Sequence, residues 1–428
     1  MNYRETVNYL YECTPVFEHV GASAYKEGLD NTHALDKHFG HPHQHYKIIH
    51  IAGTNGKGSC SHTLAAILQA MGYNVGLYTS PHLVDFRERI RVNGEMIPEE
   101  YVVDFVEKEK NFFTPLHPSF FELTTAMAFK YFAEKHVDYA IVEVGLGGRL
   151  DCTNIVTPIL SIITNISKDH TQFLGETLPQ IAAEKAGIIK PNTPVVIGEA
   201  IPETRHVFEH KAIETHSKII FAEDACEVVQ VDKSQGVGIS YQTVNYGVVT
   251  GALIGEYQIK NTNTVLCAIR ELGITDVEAV KKGFLNVVQL TGLMGRWQIL
   301  CNQPLIVCDT GHNVGGWKYL SKQIIHQECH QKHIVFGMVD DKDIDSVMEL
   351  LPKDAIYYWS QATTHRAIPS QVVAQKGLAH GLVGRVYDSV ESAYMAALAN
   401  AVPNDFVFIG GSSYIVSDLL ACLATPKE

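Results

Sequence analysis

Long apolar runs, paired cysteines and an excess of positive charge are all missing from this chain, and each absence closes off a class of protein. No stretch approaches the roughly 20 apolar residues of a bilayer-spanning helix, so no membrane partner is expected. The nine cysteines (13, 60, 152, 226, 267, 301, 308, 329 and 422) are odd in number and scattered, without a Cys-x-x-Cys pair. That spacing fits reduced thiols in a cytoplasmic enzyme better than a disulfide framework. Lysine and arginine total 34 against 47 aspartates and glutamates, a formal charge of −13. Nucleic-acid binding relies on cations that neutralise phosphates, so no nucleic-acid partner is expected either. The opening MNYRETVNYLYECTP carries acidic residues early and has no apolar core, unlike a secretory leader. Short-period repeats and low-complexity tracts are absent too. What is left is an ordinary globular composition, 46% hydrophobic and 19% charged over 428 residues, enough for two or three domains.

The most informative stretch present is His50-Ile-Ala-Gly-Thr-Asn-Gly-Lys-Gly-Ser59. It follows a β-branched run (Ile48, Ile49, Ile51) and opens onto a helical pattern (Leu64, Ala65, Ile67, Leu68). A glycine-rich turn between strand and helix lets backbone N–H groups converge on phosphates, with the helix N-terminus and Lys57 adding positive charge. The bland alternative is a turn that happens to hold three glycines. The common form of the loop is not matched throughout. Ile51 stands where a glycine is expected, and Gly58 intervenes between Lys57 and Ser59.

Residues 1–47 read as a helix, a polar loop and a second helix. Gly40-His-Pro-His-Gln-His45 invites a metal reading, but its proline and the lack of a nearby carboxylate or thiol favour a surface loop. From residue 48, apolar strand candidates (48–52, 75–78, 139–144, 159–164, 195–197) alternate with helical patterns such as 120–134 and 178–186. Strands apolar throughout imply a parallel sheet covered on both faces. Residues 219–255 look like an antiparallel excursion, followed by a helix near 257–272. Gln289-Leu-Thr-Gly-Leu-Met-Gly-Arg-Trp297 is a plausible boundary, after which alternation resumes (305–309, 333–337, 355–359, 383–387, 406–409). The expectation is two α/β domains, 1–293 and 294–428, with a cleft between them.

Further chemistry-bearing segments fall at the carboxyl ends of predicted strands, where open parallel sheets place ligands. They are the segments around Ser80, around Glu143 to Asn154, from Thr164 to His170, and from Glu184 to Gly187. A carboxylate ending a buried strand, as Glu143 does, needs a partner or a cation. Mg²⁺, with Glu143 and a hydroxyl such as Ser80, would suit it. His170 alone reads as a core histidine, and Asp169 as a turn residue.

These segments occur in a particular order: AGTNGKGS, YTSPHL with ERI, VEVGLGGRLDCTN, DH with EKAGIIK, then GEYQIKN, GR, DTGHN, FGMVDDKD and GGSSY. Together they resemble the bacterial folylpolyglutamate synthase/dihydrofolate synthase family, within the ATP-dependent Mur-type ligases, over nearly the whole chain. The resemblance implies a P-loop-containing parallel-sheet N-terminal domain and a smaller Rossmann-like α/β C-terminal domain. It implies that Lys57 holds the β- and γ-phosphates of ATP in a cradle of Thr54, Asn55, Gly56, Gly58 and Ser59. Ser80, Glu143 and His170 match magnesium-ligand positions, for two Mg²⁺ ions, and Lys185 matches a lysine carbamylated to give an anionic oxygen ligand. Lys57, His170 and Lys185 would thus serve the chemistry directly. Without the match, Lys185 reads as a surface lysine on a helix.

Asn261, Arg296, Asp309 and His312 match positions that contact ATP from across the cleft, and Arg149, Asp151 and Cys152 a pterin-binding segment. Asp309 and His312 could otherwise simply end a strand and cap a helix. Some positions depart from the family pattern. Met294 replaces a proline, Cys152 replaces an alanine, and Asp309-Thr-Gly-His-Asn313 and Gly410-Gly-Ser-Ser-Tyr414 differ in their small residues. None removes a charged group. The implied reaction joins L-glutamate to dihydropteroate, to the glutamate tail of a reduced folate, or to both, through an acyl phosphate, in a cytoplasmic monomer. The alternatives are a Mur-type ligase with a different carboxylate acceptor, and a P-loop kinase or nucleotide-binding regulator. Only 49 residues precede His50, which is short for the UDP-binding domain of a cell-wall ligase.

Overall fold

In a computed structural model, which describes residues 1–13, 28–233 and 238–424, the apolar runs become the inner strands of two separate sheets. The chain divides into two units, Met1–Ala252 with Gln258–Leu293, and Leu253–Tyr257 with Met294–Glu428. The sheet of the first unit holds β1 (Lys47–Ala52), β2 (Val75–Tyr78), β3 (Ile90–Val92), β4 (Glu95–Met96), β5 (Tyr139–Glu143), β6 (Leu160–Ile163), β7 (Val195–Ile197) and β8 (Ile219–Phe221). Their order is β4-β3-β2-β5-β1-β6-β7-β8, parallel except where β3 and β4 join the edge.

Side chains alternate across a strand, so each face of β1 needs its own cover. Ile49 and Ile51 pack with Leu64 and Leu68 of helix Lys57–Ala70 and with Leu266 and Ile269 of helix Gln258–Glu271. Ile48 faces the opposite core, which includes Leu123 and Phe132 of helix Phe120–Glu134. Two helices start at capping boxes visible in the sequence, Ser119 with Glu122 and Thr177 with Gln180.

Three expectations need correction. Of the residues 219–255, β9 (Val228–Asp232), β10 (Ile239–Thr243) and β11 (Val248–Gly251) do form an antiparallel sheet, but Ile219–Phe221 pairs parallel with β7 and extends the main sheet. Three residues carry too little periodicity to choose. The preceding helix Pro202–Glu214 instead supplies the crossover that a parallel strand requires. Second, Leu253–Tyr257 groups with the second unit, because Ile254 and Tyr257 pack against its core. Third, the histidine loop does have a carboxylate companion. Asp36, from helix Asp30–His38, accepts hydrogen bonds from Nδ1 of His41 (2.6 Å) and His43 (2.8 Å) where the chain folds back on the helix end. No three His, Cys, Asp or Glu among the described residues form a metal-holding group. The polar loop expected between the first two helices falls at 14–27, outside the described residues.

The second unit holds β12 (Gln298–Asn302), β13 (Leu305–Asp309), β14 (Lys332–Phe336), β15 (Ala355–Trp359), β16 (Gly384–Val386) and β17 (Phe406–Gly410), ordered β12-β13-β17-β14-β15-β16. Only β12 runs antiparallel. Trp317, Phe336, Trp359 and Phe408 fill its core. Among the described residues, no helix is long and apolar enough to cross a membrane.

Candidate functional site

The turn between β1 and helix Lys57–Ala70 is held in a shape that only glycine permits. Gly53 (φ 143°) and Gly56 (φ 85°) lie in the left-handed region. A Cβ on Gly53 would sit 1.9 Å from Thr164 Oγ1, and one on Gly56 would sit 2.3 Å from Asn261 Oδ1. The segment after β6 braces the turn from one side. Thr54 N donates to Asn165 O (2.9 Å), Asn55 N to Asn165 Oδ1 (3.0 Å), and Thr164 Oγ1 to Asn55 O (2.5 Å). Helix Gln258–Glu271 braces the other side, with Gln258 Nε2 donating to Ser59 Oγ (3.0 Å) and Asn261 Nδ2 to Gln258 Oε1 (2.9 Å). Asn261 therefore stands in the first unit beside Gly56, not across a cleft. The helix that carries it packs on the phosphate-loop helix.

Around this turn, the carboxyl ends of β2, β5, β1 and β6, consecutive in the sheet, bring together Ser80, Glu143, the loop and the segment leading to His170. Glu143 is the last residue of β5 and 4% exposed. Lys57 Nζ lies 4.0 Å from Glu143 Oε1 and donates to Gly53 O (3.1 Å) and Thr54 O (3.3 Å). Lys185, in the last turn of helix Leu178–Ala186, is 5% exposed and donates to the same Gly53 carbonyl (3.0 Å). It is not a surface lysine. Burial first, and then the charge of Lys57, push its pKa down to about 7. His170 precedes a short helix at φ 50°, with Asp169 Oδ1 accepting its backbone N–H (2.9 Å) and lying 3.8 Å from Nε2.

Beyond β5 the chain forms a loop built on Asp151. Its carboxylate accepts the N–H of Leu146 (2.8 Å), the N–H of Thr153 (3.0 Å) and the Thr153 hydroxyl, capping the turn Cys152–Ile155. Burial raises its pKa against the pull of those donors. The Cys152 thiol is pushed well up as well, by burial and then by Asp151 and Glu122, so it is protonated at neutral pH. Arg149 is exposed and pairs with Glu184 (2.9 Å), while its backbone N–H donates to Glu184 O (2.8 Å). The loop is thus tied to the helix that carries Lys185.

In the second unit, Asp309 ends β13 and is 3% exposed. Its oxygens accept from Tyr257 Oη (2.5 Å), Trp297 N (2.7 Å) and Gly311 N (2.8 Å). Burial raises its pKa, opposed by Tyr257 and Arg296. Arg296 donates to Thr310 Oγ1 and Gly295 O, and His312 Nδ1 lies 3.1 Å from Thr310 O. These three residues share one corner of the unit. Sequence reasoning assigned no role to Tyr257, Gln258 or Asn165. Tyr257 and Gln258 sat inside the quoted GEYQIKN and Asn165 inside the segment after β6, so their position was the available signal.

Residues 51–269 match the Mur ligase middle domain and residues 295–413 the Mur ligase glutamate ligase domain. A Bacillus subtilis dihydrofolate synthase/folylpolyglutamate synthase is 32% identical, over 92% of this chain and 94% of that protein. A Lacticaseibacillus casei folylpolyglutamate synthase is 32% identical over the full length of both. A Haloferax volcanii protein named as a probable bifunctional folylpolyglutamate synthase/dihydropteroate synthase is 31% identical over 98% of this chain, which spans 50% of that longer protein. Among solved structures, Escherichia coli FolC in complex with DHPP and ADP superposes with a TM-score of 0.84, at 28% identity and over 99% and 98% of the two chains. A Yersinia pestis bifunctional folylpolyglutamate synthase/dihydrofolate synthase complexed with AMPPNP and Mn ion gives 0.82, at 28% identity over 99% and 98%.

Proposed function

The chain belongs to the folylpolyglutamate synthase/dihydrofolate synthase family of Mur-type ligases, and we propose that it joins L-glutamate to dihydropteroate, to the glutamate tail of reduced folates, or to both, using ATP. The observation that carries this reading is the convergence of Lys57 and Lys185 on Gly53 O beside the buried Glu143. A loop braced from two sides, with two lysines turned onto its own carbonyl, is a cradle for an anion.

The acceptor carboxylate is a poor electrophile until it becomes an acyl phosphate, whose phosphate then leaves as the amine of glutamate attacks. Phosphoryl transfer needs positioning and charge neutralisation more than covalent help. Lys57 leaves the loop carbonyls to meet the β- and γ-phosphates, while Thr54, Asn55, Gly56, Gly58 and Ser59 shape the cradle. Asp151, Cys152 and Arg149 line the acceptor loop. Arg296, with Asp309 and His312 in the same corner of the second unit, is assigned to ATP as well.

The donor set suits Mg²⁺. One buried carboxylate, Glu143, with the Ser80 hydroxyl, the His170 imidazole and a carbamate on Lys185, is a sparse, oxygen-weighted set, and phosphates complete such a set. Bound there, two Mg²⁺ ions would offset charge on the transferring phosphoryl group. An amine titrating near 7 is largely unprotonated at slightly alkaline pH, the form that adds CO₂.

The test is ATP- and glutamate-dependent phosphate release, run in parallel with 7,8-dihydropteroate and with tetrahydrofolate. Turnover on both means a bifunctional synthase, and turnover on tetrahydrofolate alone a tail-extending enzyme. Release with neither would overturn the acceptor assignment.

A further inference from the structure

His50 stands in the middle of β1, wholly buried, three residues before Gly53. A buried strand of this kind ordinarily carries an apolar residue there. Its Nε2 lies 2.8 Å from Thr153 Oγ1, and Nδ1 is buried with no hydrogen-bond partner among the described residues. Thr153 in turn donates its hydroxyl to Asp151 Oδ1. A hydroxyl has one proton. With that proton directed at Asp151 Oδ1, Thr153 Oγ1 can only accept from His50 Nε2–H, and burial pushes the ring's pKa down to about 3, so the ring is the neutral Nε2–H tautomer. A side chain with one nitrogen left unsatisfied in the core is a poor choice for stability alone. What it gains is one directed N–H.

We propose that His50 is a positioning residue of the acceptor site. Through Thr153 it holds the Asp151 carboxylate, and with it the loop of residues 145–155, against the strand that feeds the phosphate loop. The rest of the loop is fastened in the same sense. Asn154 Nδ2 donates to Arg149 O (3.0 Å) and Gly187 O (3.1 Å), and Lys190 Nζ donates to Asn154 O (2.8 Å). The loop is thus pinned to β1 on one side and to the Lys185 helix on the other. His50 touches no reacting atom. It fixes where the acceptor lies relative to the phosphates. The identity of the acceptor rests on the function proposed above; the relay itself does not.

The test compares His50→Leu, His50→Gln and Thr153→Val in the full chain, each first checked by thermal melting. Losing the directed hydrogen bond in the Leu and Val variants should raise the acceptor KM about tenfold, leaving the KM for ATP and glutamate within about twofold. Gln keeps an N–H near the place of Nε2 and should recover most of the acceptor affinity. The His50→Leu/Thr153→Val double variant should be no worse than either single one, since both break one chain of contacts. Equal impairment by Leu and Gln, or a fall in kcat with an unchanged acceptor KM, would reduce His50 to a core residue and overturn the proposal. Nitrogen-15 spectra of the imidazole give a readout independent of turnover. A neutral Nε2–H ring whose signals move in Thr153→Val supports the relay, and an Nδ1–H ring overturns it. If the wild type turns over neither acceptor, the ligase reading fails, and the relay is decided by the ring spectrum.

Discussion

Two buried polar clusters treat their charges in opposite ways. At the amino edge of the second sheet, Asp405 accepts from Val402 N (2.8 Å), Gln331 N (3.1 Å), His333 Nε2 (3.2 Å) and His330 Nδ1 (3.3 Å). His333 Nδ1 passes the network on to Tyr358 Oη (2.9 Å), and Asn400 Nδ2 donates to that same oxygen (3.1 Å). Burial alone would raise the Asp405 pKa, yet these donors outweigh it and hold the carboxyl below its ordinary value. At the carboxyl ends of the first sheet, Lys185 is as deeply buried, but among the described residues its hydrogen-bond acceptor is one carbonyl, shared with Lys57. Its pKa falls to about 7. The contrast is between a carboxylate satisfied by its donors, which stores stability, and a buried lysine that the proposed function gives to a ligand.

The largest effect should come from emptying the cradle. Lys57→Ala is expected to lower ATP-dependent turnover by at least about 10³-fold, with melting behaviour little changed, because in the proposed function the lysine meets charge that develops in phosphoryl transfer. Substantial phosphate release by a folded variant would detach the loop from the chemistry. Lys185→Met should follow, with bicarbonate stimulating the wild type above pH 7 and failing to stimulate the variant. The same residue sets a pH dependence of stability. Between about 7 in the folded state and about 10.4 unfolded, the unfolded chain binds the extra proton, so stability rises with pH across that window. Denaturant melts from pH 7 to 10 in CO₂-free buffer, where the amine carries no carbamate, should show the rise, and Lys185→Met should flatten it.

The opposite cluster should respond the opposite way. Asp405→Ala strands the buried His333 ring and frees two backbone N–H groups, and about 2–3 kcal/mol of stability should be lost, with KM values for all substrates unchanged. Because the folded pKa is depressed, the wild-type contribution is complete above the unfolded carboxylate value and fades as pH falls through the folded one. An altered KM for ATP would mean that the two regions are not separable as described.

Much of this was legible beforehand because it rests on local pattern. The buried strands, the helical patterns over 120–134 and 178–186, and the loop at Gly53 to Ser59 need only neighbours in sequence to be recognised. What escaped depends on long-range contact. That Lys185 is buried follows from its reaching Gly53 O, 132 residues away in sequence. Asn261 could be matched to a nucleotide position, but only the packing of its helix places it against Gly56. The three residues of β8 and the carboxylate beside the histidine loop escaped for the same reason, as each is decided by a partner that a linear reading does not display.

The smallest effect sharpens the comparison most, because it separates position from stability within the first unit. Arg149 pairs with Glu184 at 2.9 Å, but its side chain is 56% exposed. Solvent and salt screen such a pair, so Arg149→Ala should cost less than about 0.5 kcal/mol in a denaturant melt. The loop should keep its shape, since the Arg149 N–H to Glu184 O bond and the ties through Asn154 involve no guanidinium. If the side chain also meets the acceptor, the acceptor KM should rise while the stability barely moves, and the effect should shrink with added salt. A variant that lost stability without an effect on acceptor KM would instead place Arg149 with Asp405, among the groups that hold the fold.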